Sequence, residues 1–81
     1  MSLPKTANLS DSLSMKLFTL LEEERALELS LNDLDDVIRN PGELIPVKEF
    51  EALIPGLKLR LDEVRAQIAY YRALRDSLKS N

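Results

Sequence analysis

The chain contains no cysteine, no histidine and no tryptophan. Without cysteine there is no disulfide framework and no thiol nucleophile, and redox does not constrain the compartment. Without histidine the commonest general base and the commonest metal ligand are both missing. The two glycines, Gly42 and Gly56, each follow a proline, so no glycine-rich phosphate loop exists. No apolar run approaches the roughly 18 residues needed to cross a bilayer, and no signal-peptide pattern precedes the first predicted helix. A cytoplasmic protein is therefore expected.

The acidic residues carry no metal pattern either. Glu22, Glu23, Glu24, Glu28, Asp33, Asp35 and Asp36 crowd one predicted helix. A di-iron bundle would need Glu-x-x-His motifs pointing inward. Asn32-Asp33-Leu34-Asp35-Asp36 lacks the glycine and the terminal glutamate of a calcium loop. Ser10, Ser12 and Ser14 have no base nearby. These carboxylates read as a solvated face; the expectation is no enzyme, no cofactor and no metal.

What is present is leucine with charge: 44% of the 81 residues are hydrophobic and 31% charged. That composition suits long helices rather than a sandwich or barrel, and the apolar residues are periodic, which argues against disorder. Leu13, Leu20, Leu27 and Leu34 recur every seven residues, with Leu17, Leu31 and Ile38 at the other seam position. A second seam runs through Val47, Phe50, Ile54, Leu57, Leu61, Val64, Ile68, Tyr71 and Leu78. Between them lies one breaker-rich segment, Arg39 to Pro46. The pattern predicts an all-α fold, an antiparallel two-helix hairpin of coiled-coil character that completes a helical bundle by oligomerisation.

In order along the chain, residues 1–8 form a flexible lead-in and 9–81 the hairpin: helix 9–40, turn 41–45, helix 46–79. Asn8 is the expected N-cap, with Asp11 three residues on. Asn40-Pro41-Gly42 is the stop signal and turn. Leu44 and Ile45 either plug the open end or follow a loop that folds back. Pro46 fits a first helical turn, where its missing N–H costs nothing. Pro55-Gly56 then interrupts the second helix, although the seam spacing continues across it in phase. The second helix is therefore kinked there or broken into two stacked helices, with Pro55 turned away from the seam; a full break giving three helices is the alternative.

Setting Ile38 opposite Phe50 makes facing positions sum to 88 and pairs Leu31 with Leu57, Leu27 with Leu61 and Leu20 with Ile68. It also sets Glu28 against Arg60 and Arg25 against Glu63, and leaves Leu13 facing Arg75. Charge agrees with such a pairing: residues 9–39 hold eight acids and three bases, and residues 57–81 six bases and three acids. Helices of net −5 and +3 favour each other over self-pairing of either. Glu24 and Arg75 are polar seam positions, which either fix register or carry their charge outward to water.

A hairpin buries one stripe per helix, a thin core for its length, and small scaffolds of this kind generally need oligomerisation. At 100° per residue Met15, Phe18 and Leu29 lie opposite the first seam, with Leu21 on its flank. Leu59, Ala66, Tyr70, Ala73 and Leu74 lie away from the second, where Ala66, Ala69 and Ala73 form a smooth strip. Helices apolar on two sides usually have two neighbours. These residues are the candidate contacts for a protein partner, whether a second copy or a helical partner protein.

The competing surface is basic: Lys58, Arg65, Arg72 and Lys79 share one flank at seven-residue intervals, near Tyr70 and Tyr71. Four such cations could contact phosphates, but the spacing is also that of coiled-coil flanking positions paired with an acidic helix. The mild net charge of −3 argues the same way. Residues 52–63, with Ala52-Leu53-Ile54-Pro55, Leu57, Leu59-Arg60-Leu61 and Asp62-Glu63, resemble the tubulin-binding cofactor A and prefoldin type of chaperone hairpin. The helix–Pro-turn–helix plan is similar to the small co-chaperones of type III secretion needle subunits. Each resemblance implies a hairpin that acts through protein partners; neither includes a diagnostic motif that assigns a family.

The sequence thus predicts a non-enzymatic assembly module, a homo-oligomer or a small, chaperone-like subunit of a larger complex. A nucleic-acid-binding hairpin dimer is the alternative, and no membrane partner is expected.

Overall fold

The computed structural model describes residues 5–42 and 45–79, with side chains from residue 9 onward. Two helices, α1 (Lys5–Arg39) and α2 (Val47–Lys79), pack against each other along their length. The molecule measures 65 × 21 × 14 Å. The smallest dimension accommodates one layer of helices, so each helix has a single neighbour within the chain.

α1 begins at Lys5, upstream of the expected start. Residues 5–12 contain neither proline nor glycine, and Leu9 lines a groove with Leu13 and Leu78 at the open end. Asn8 accordingly lies inside the helix and not at its cap, and only residues 1–4 of the expected lead-in fall outside the described residues. At the other end the Asn40 amide donates to the Asp36 carbonyl at 3.0 Å before Pro41 stops the ladder. Arg39 closes the last turn, paired with Asp35 at 3.1 Å, a cation where the carbonyl-rich helix end favours one.

The Pro46 carbonyl accepts from the amides of Glu49 and Phe50 at 3.0 and 3.1 Å. It therefore caps α2, one residue before the helix, instead of occupying the first turn as the sequence suggests. Ile45 is half-buried; Leu44 lies outside the described residues. Gly42 does not use a positive φ, so the turn does not depend on the freedom peculiar to glycine.

α2 runs unbroken through Pro55 and Gly56. This corrects the expected break, in both its stacked-helix and three-helix forms. Pro55 is exposed, as anticipated, and so is Gly56. On the water side of a helix, solvent can satisfy the carbonyl that a proline leaves without a donor. Seam residues Ile54, Leu57 and Leu61 on either side hold the helix in register.

The buried residues are Leu13, Leu17, Leu20, Leu61, Val64 and Ile68. Leu17 and Leu20 pack with Val64 and Ile68, and Leu27 and Tyr71 close over that cluster. Val64, at 0% exposure, is the best-enclosed side chain. Five of the six lie in the half of the hairpin away from the turn, and Leu61 stands just on the turn side of the middle of α2. Towards the turn, Leu31, Leu34, Ile38, Phe50, Ile54 and Leu57 are half-buried. The expected register is compatible with this cluster, which unites Leu20 with Ile68.

A Cβ added at Gly56 would meet nothing within 4 Å. Its helical φ and open surroundings make Gly56→Ala a stabilising change of about 1 kcal/mol, from the propensity difference between the two residues. Urea unfolding followed by circular dichroism checks this; a loss of stability would mean that α2 needs a bend at that point.

Candidate interaction surfaces

The seam leaves two flanks, and interhelical ion pairs identify which residues line each. On the first, the Arg60 guanidinium donates to both carboxylate oxygens of Glu23, at 2.7 Å from Nε and 3.0 Å from the second nitrogen. Arg60 also approaches Glu63 on its own helix at 3.6 Å. On the second, Arg65 donates to Glu24 at 3.1 Å and to Glu28 at 3.2 Å, spanning one turn of α1.

The expected pairs Glu28–Arg60 and Arg25–Glu63 do not form. Facing positions fix the level along the hairpin but not the side of the seam. Glu28 lies five residues beyond Glu23, about 140° further around α1 at 100° per residue, and so on the opposite flank from Arg60. Glu24, the acidic seam position, is half-buried and held by Arg65.

Both arginines are held protonated more firmly than usual. The Arg60 pKa is raised by its hydrogen bond to Glu23 and then by the charge of that carboxylate. The Arg65 pKa is raised chiefly by its hydrogen bond to Glu24. A folded-state pKa raised above the unfolded value gives stability that is complete below the ordinary arginine range. It is lost only as pH climbs through the raised value. At neutral pH both pairs are intact, and salt is the lever that weakens them.

Arg65 is the second member of the basic stripe Lys58, Arg65, Arg72 and Lys79. It is engaged with two carboxylates of α1, Glu24 and Glu28. Arg75, the other polar seam position, has a partly buried side chain, and its Nε is enclosed without a hydrogen-bond partner.

All nine candidate contact residues are exposed: Met15, Phe18, Leu21, Leu29, Leu59, Ala66, Tyr70, Ala73 and Leu74. Met15 and Phe18 are 73% and 63% exposed, unusual for such side chains in a single small domain. They do not form one patch. Met15, Phe18 and Leu29 lie on the outward side of α1. Leu59, Ala66, Tyr70 and Ala73 lie on the outward side of α2 and point the opposite way across a single layer. Leu21 stands on the Arg65 flank, seven residues before Glu28. Leu74 turns onto the Glu23–Arg60 flank. Tyr70 also stacks edge-on against Tyr71, with ring centroids 5.3 Å apart.

Leu74 lines an apolar groove of about 250 Å³ at the open end, together with Leu9, Leu13, Ser77 and Leu78. Leu9 and Leu53, both about half exposed, are contact candidates that the helical wheel does not single out. The signal for them lies in two ladders with seven-residue steps: Leu9, Lys16, Glu23, Ser30 on α1 and Leu53, Arg60, Gln67, Leu74 on α2.

Among the described residues no group of three or more metal-ligating side chains converges, and no helix is long and apolar enough to cross a membrane. No protein-family model, curated protein or solved structure matches the chain.

Reversing both charges of the bidentate pair, Glu23→Arg with Arg60→Glu, should restore most of the stability that either single reversal removes, and the single losses should shrink in molar salt. Thermal melts of the four proteins measure this; full additivity would remove the pair from the forces holding the helices together. Arg75→Met should raise stability by about 1–2 kcal/mol, because it keeps the apolar stem and removes a buried donor without an acceptor. A drop in melting temperature would show that the guanidinium is satisfied in solution.

Proposed function

We propose that the chain is a non-enzymatic assembly module, working as a homo-oligomer or as a small subunit of a larger complex. The observation that carries this reading is the mismatch between apolar content and enclosure. The chain exposes 6463 Å². A compact monomer of 9.2 kDa exposes about 4,900 Å² by the usual scaling of surface with mass. The excess, about 1,500 Å², accompanies an elongated shape of 65 × 21 × 14 Å and is larger than the roughly 800 Å² that one partner contributes to a standard interface.

Its chemical character supports the same reading. Phe18, Met15, Leu29, Leu59 and Tyr70 stand in water on faces the seam does not use. Large apolar and aromatic side chains are the types enriched at the centres of protein interfaces. Within the seam itself, the half nearest the turn is only partly enclosed. A helical neighbour would finish that enclosure, as in bundles where each helix touches more than one other.

The nucleic-acid reading gains nothing comparable. Its central cation, Arg65, is already held between Glu24 and Glu28.

Sedimentation of an unfractionated extract of the natural source, with the chain detected by antibody, tests the proposal. The chain should travel in a complex well above its own 9.2 kDa. Migration as the free chain would overturn it.

A further inference from the structure

The two ends of the hairpin are braced unequally. Between Leu20 and Leu61 along the chain no described side chain is buried. The ion pairs that cross between the helices, Arg60 with Glu23 and Arg65 with Glu24 and Glu28, lie no closer to the turn than Glu28 and Arg60. Nearer the turn the helices meet through half-buried apolar residues, with Leu31, Leu34 and Ile38 on α1 and Val47, Phe50 and Ile54 on α2.

The helices bring different backbones to that stretch. From Lys5 to Arg39 α1 contains neither proline nor glycine, so nothing interrupts its hydrogen-bond ladder on the way to the turn. α2 contains both, adjacent, at Pro55 and Gly56. Pro55 has no N–H, so the Glu51 carbonyl receives no bond from the residue four places on. Gly56 follows it, the residue type that loses most backbone freedom on joining a helix. This weak point sets off Val47–Ile54, about two turns of helix, and a helix that short does not hold alone in water. Only Val47, Phe50 and Ile54 of this segment are half-buried, and its other side chains are exposed.

We propose that Val47–Ile54 is a strap, hinged at Pro55–Gly56, that opens and closes over Leu31, Leu34 and Ile38 while α1 stays helical and the core stays shut. Segments that open locally are those with few buried apolar contacts and backbone bonds exposed to water. This one adds a gap in its ladder at one end and a turn at the other. Closed, the strap covers the apolar stripe of α1; open, it presents that stripe and releases Phe50 and Ile54 as well. Its position therefore sets how much apolar surface the turn end shows to water. The inference concerns the chain by itself and does not rest on the assembly reading.

Amide hydrogen exchange of the whole chain, read residue by residue by NMR under native conditions, tests the strap. The amides of Glu51–Ile54 should be at least tenfold less protected than those of Leu31 and Leu34 opposite them, and less again than that of Val64. Ile68→Val should lower the protection of Val64 several-fold and leave Glu51–Ile54 unchanged, because the strap opens with the core intact. Pro55→Ala restores the donor for the Glu51 carbonyl and should raise protection at Glu51–Ile54 at least tenfold. Equal protection on the two sides of the turn end would overturn the strap, since both helices then open together. So would a loss at Glu51–Ile54 in step with Val64 in Ile68→Val, which would make the chain a single cooperative unit. No gain in Pro55→Ala would overturn the hinge.

Discussion

Burial of Leu17 and Leu20 against Val64 and Ile68 is the interaction on which the remaining structure depends. In a single layer of two helices there is one place to remove apolar surface from water, and it is the line between them. Neither helix is stabilised mainly by its own propensity, since isolated helices gain most from an amphipathic face finding a neighbour. The cluster also fixes the level at which the helices meet. Every flanking contact, including the arginine pairs, follows from that level.

Charge then decides rotation. Arg60 reaches one side of the seam and Arg65 the other, each to glutamates on α1. Exposed ion pairs contribute little to stability one at a time. Placed on both flanks, they oppose rolling of one helix over the other, which apolar contacts alone permit. The two flanks thereby acquire separate characters: one is charged over most of its length, the other apolar at its ends.

The hairpin itself is legible because leucine spacing reports directly on which positions face a neighbour. Seam residues, turn and antiparallel pairing all follow from that periodicity together with Asn40-Pro41-Gly42. The flanks are less legible. Register is a statement about height, and the difference between Glu23 and Glu28 is mostly one of angle, so pairing by height alone selects the wrong partner for Arg60. Pro55-Gly56 misleads for another reason: local propensity predicts a break, whereas the seam on both sides outweighs it and solvent tolerates the missing donor. Leu9 falls at the first expected helical position, and its place in the groove with Leu13 and Leu78 depends on how the two helix ends meet. The outward residues Met15, Phe18, Leu29, Leu59 and Tyr70 follow from the wheel alone, because facing away from a neighbour is as periodic as facing one.

The tightly enclosed part of the seam lies away from the turn, and the half nearest the turn is looser. Near the turn the two helices are joined by a short loop, which keeps their ends at a high effective concentration whatever their side chains do. Towards the open end that covalent help fades with each residue, and attraction between side chains must replace it. Val64 and its neighbours occupy the stretch where the tether has stopped mattering. The loop and the core therefore divide the length of the molecule between them, and the leucines near the turn, relieved of holding the hairpin closed, are free to face something else.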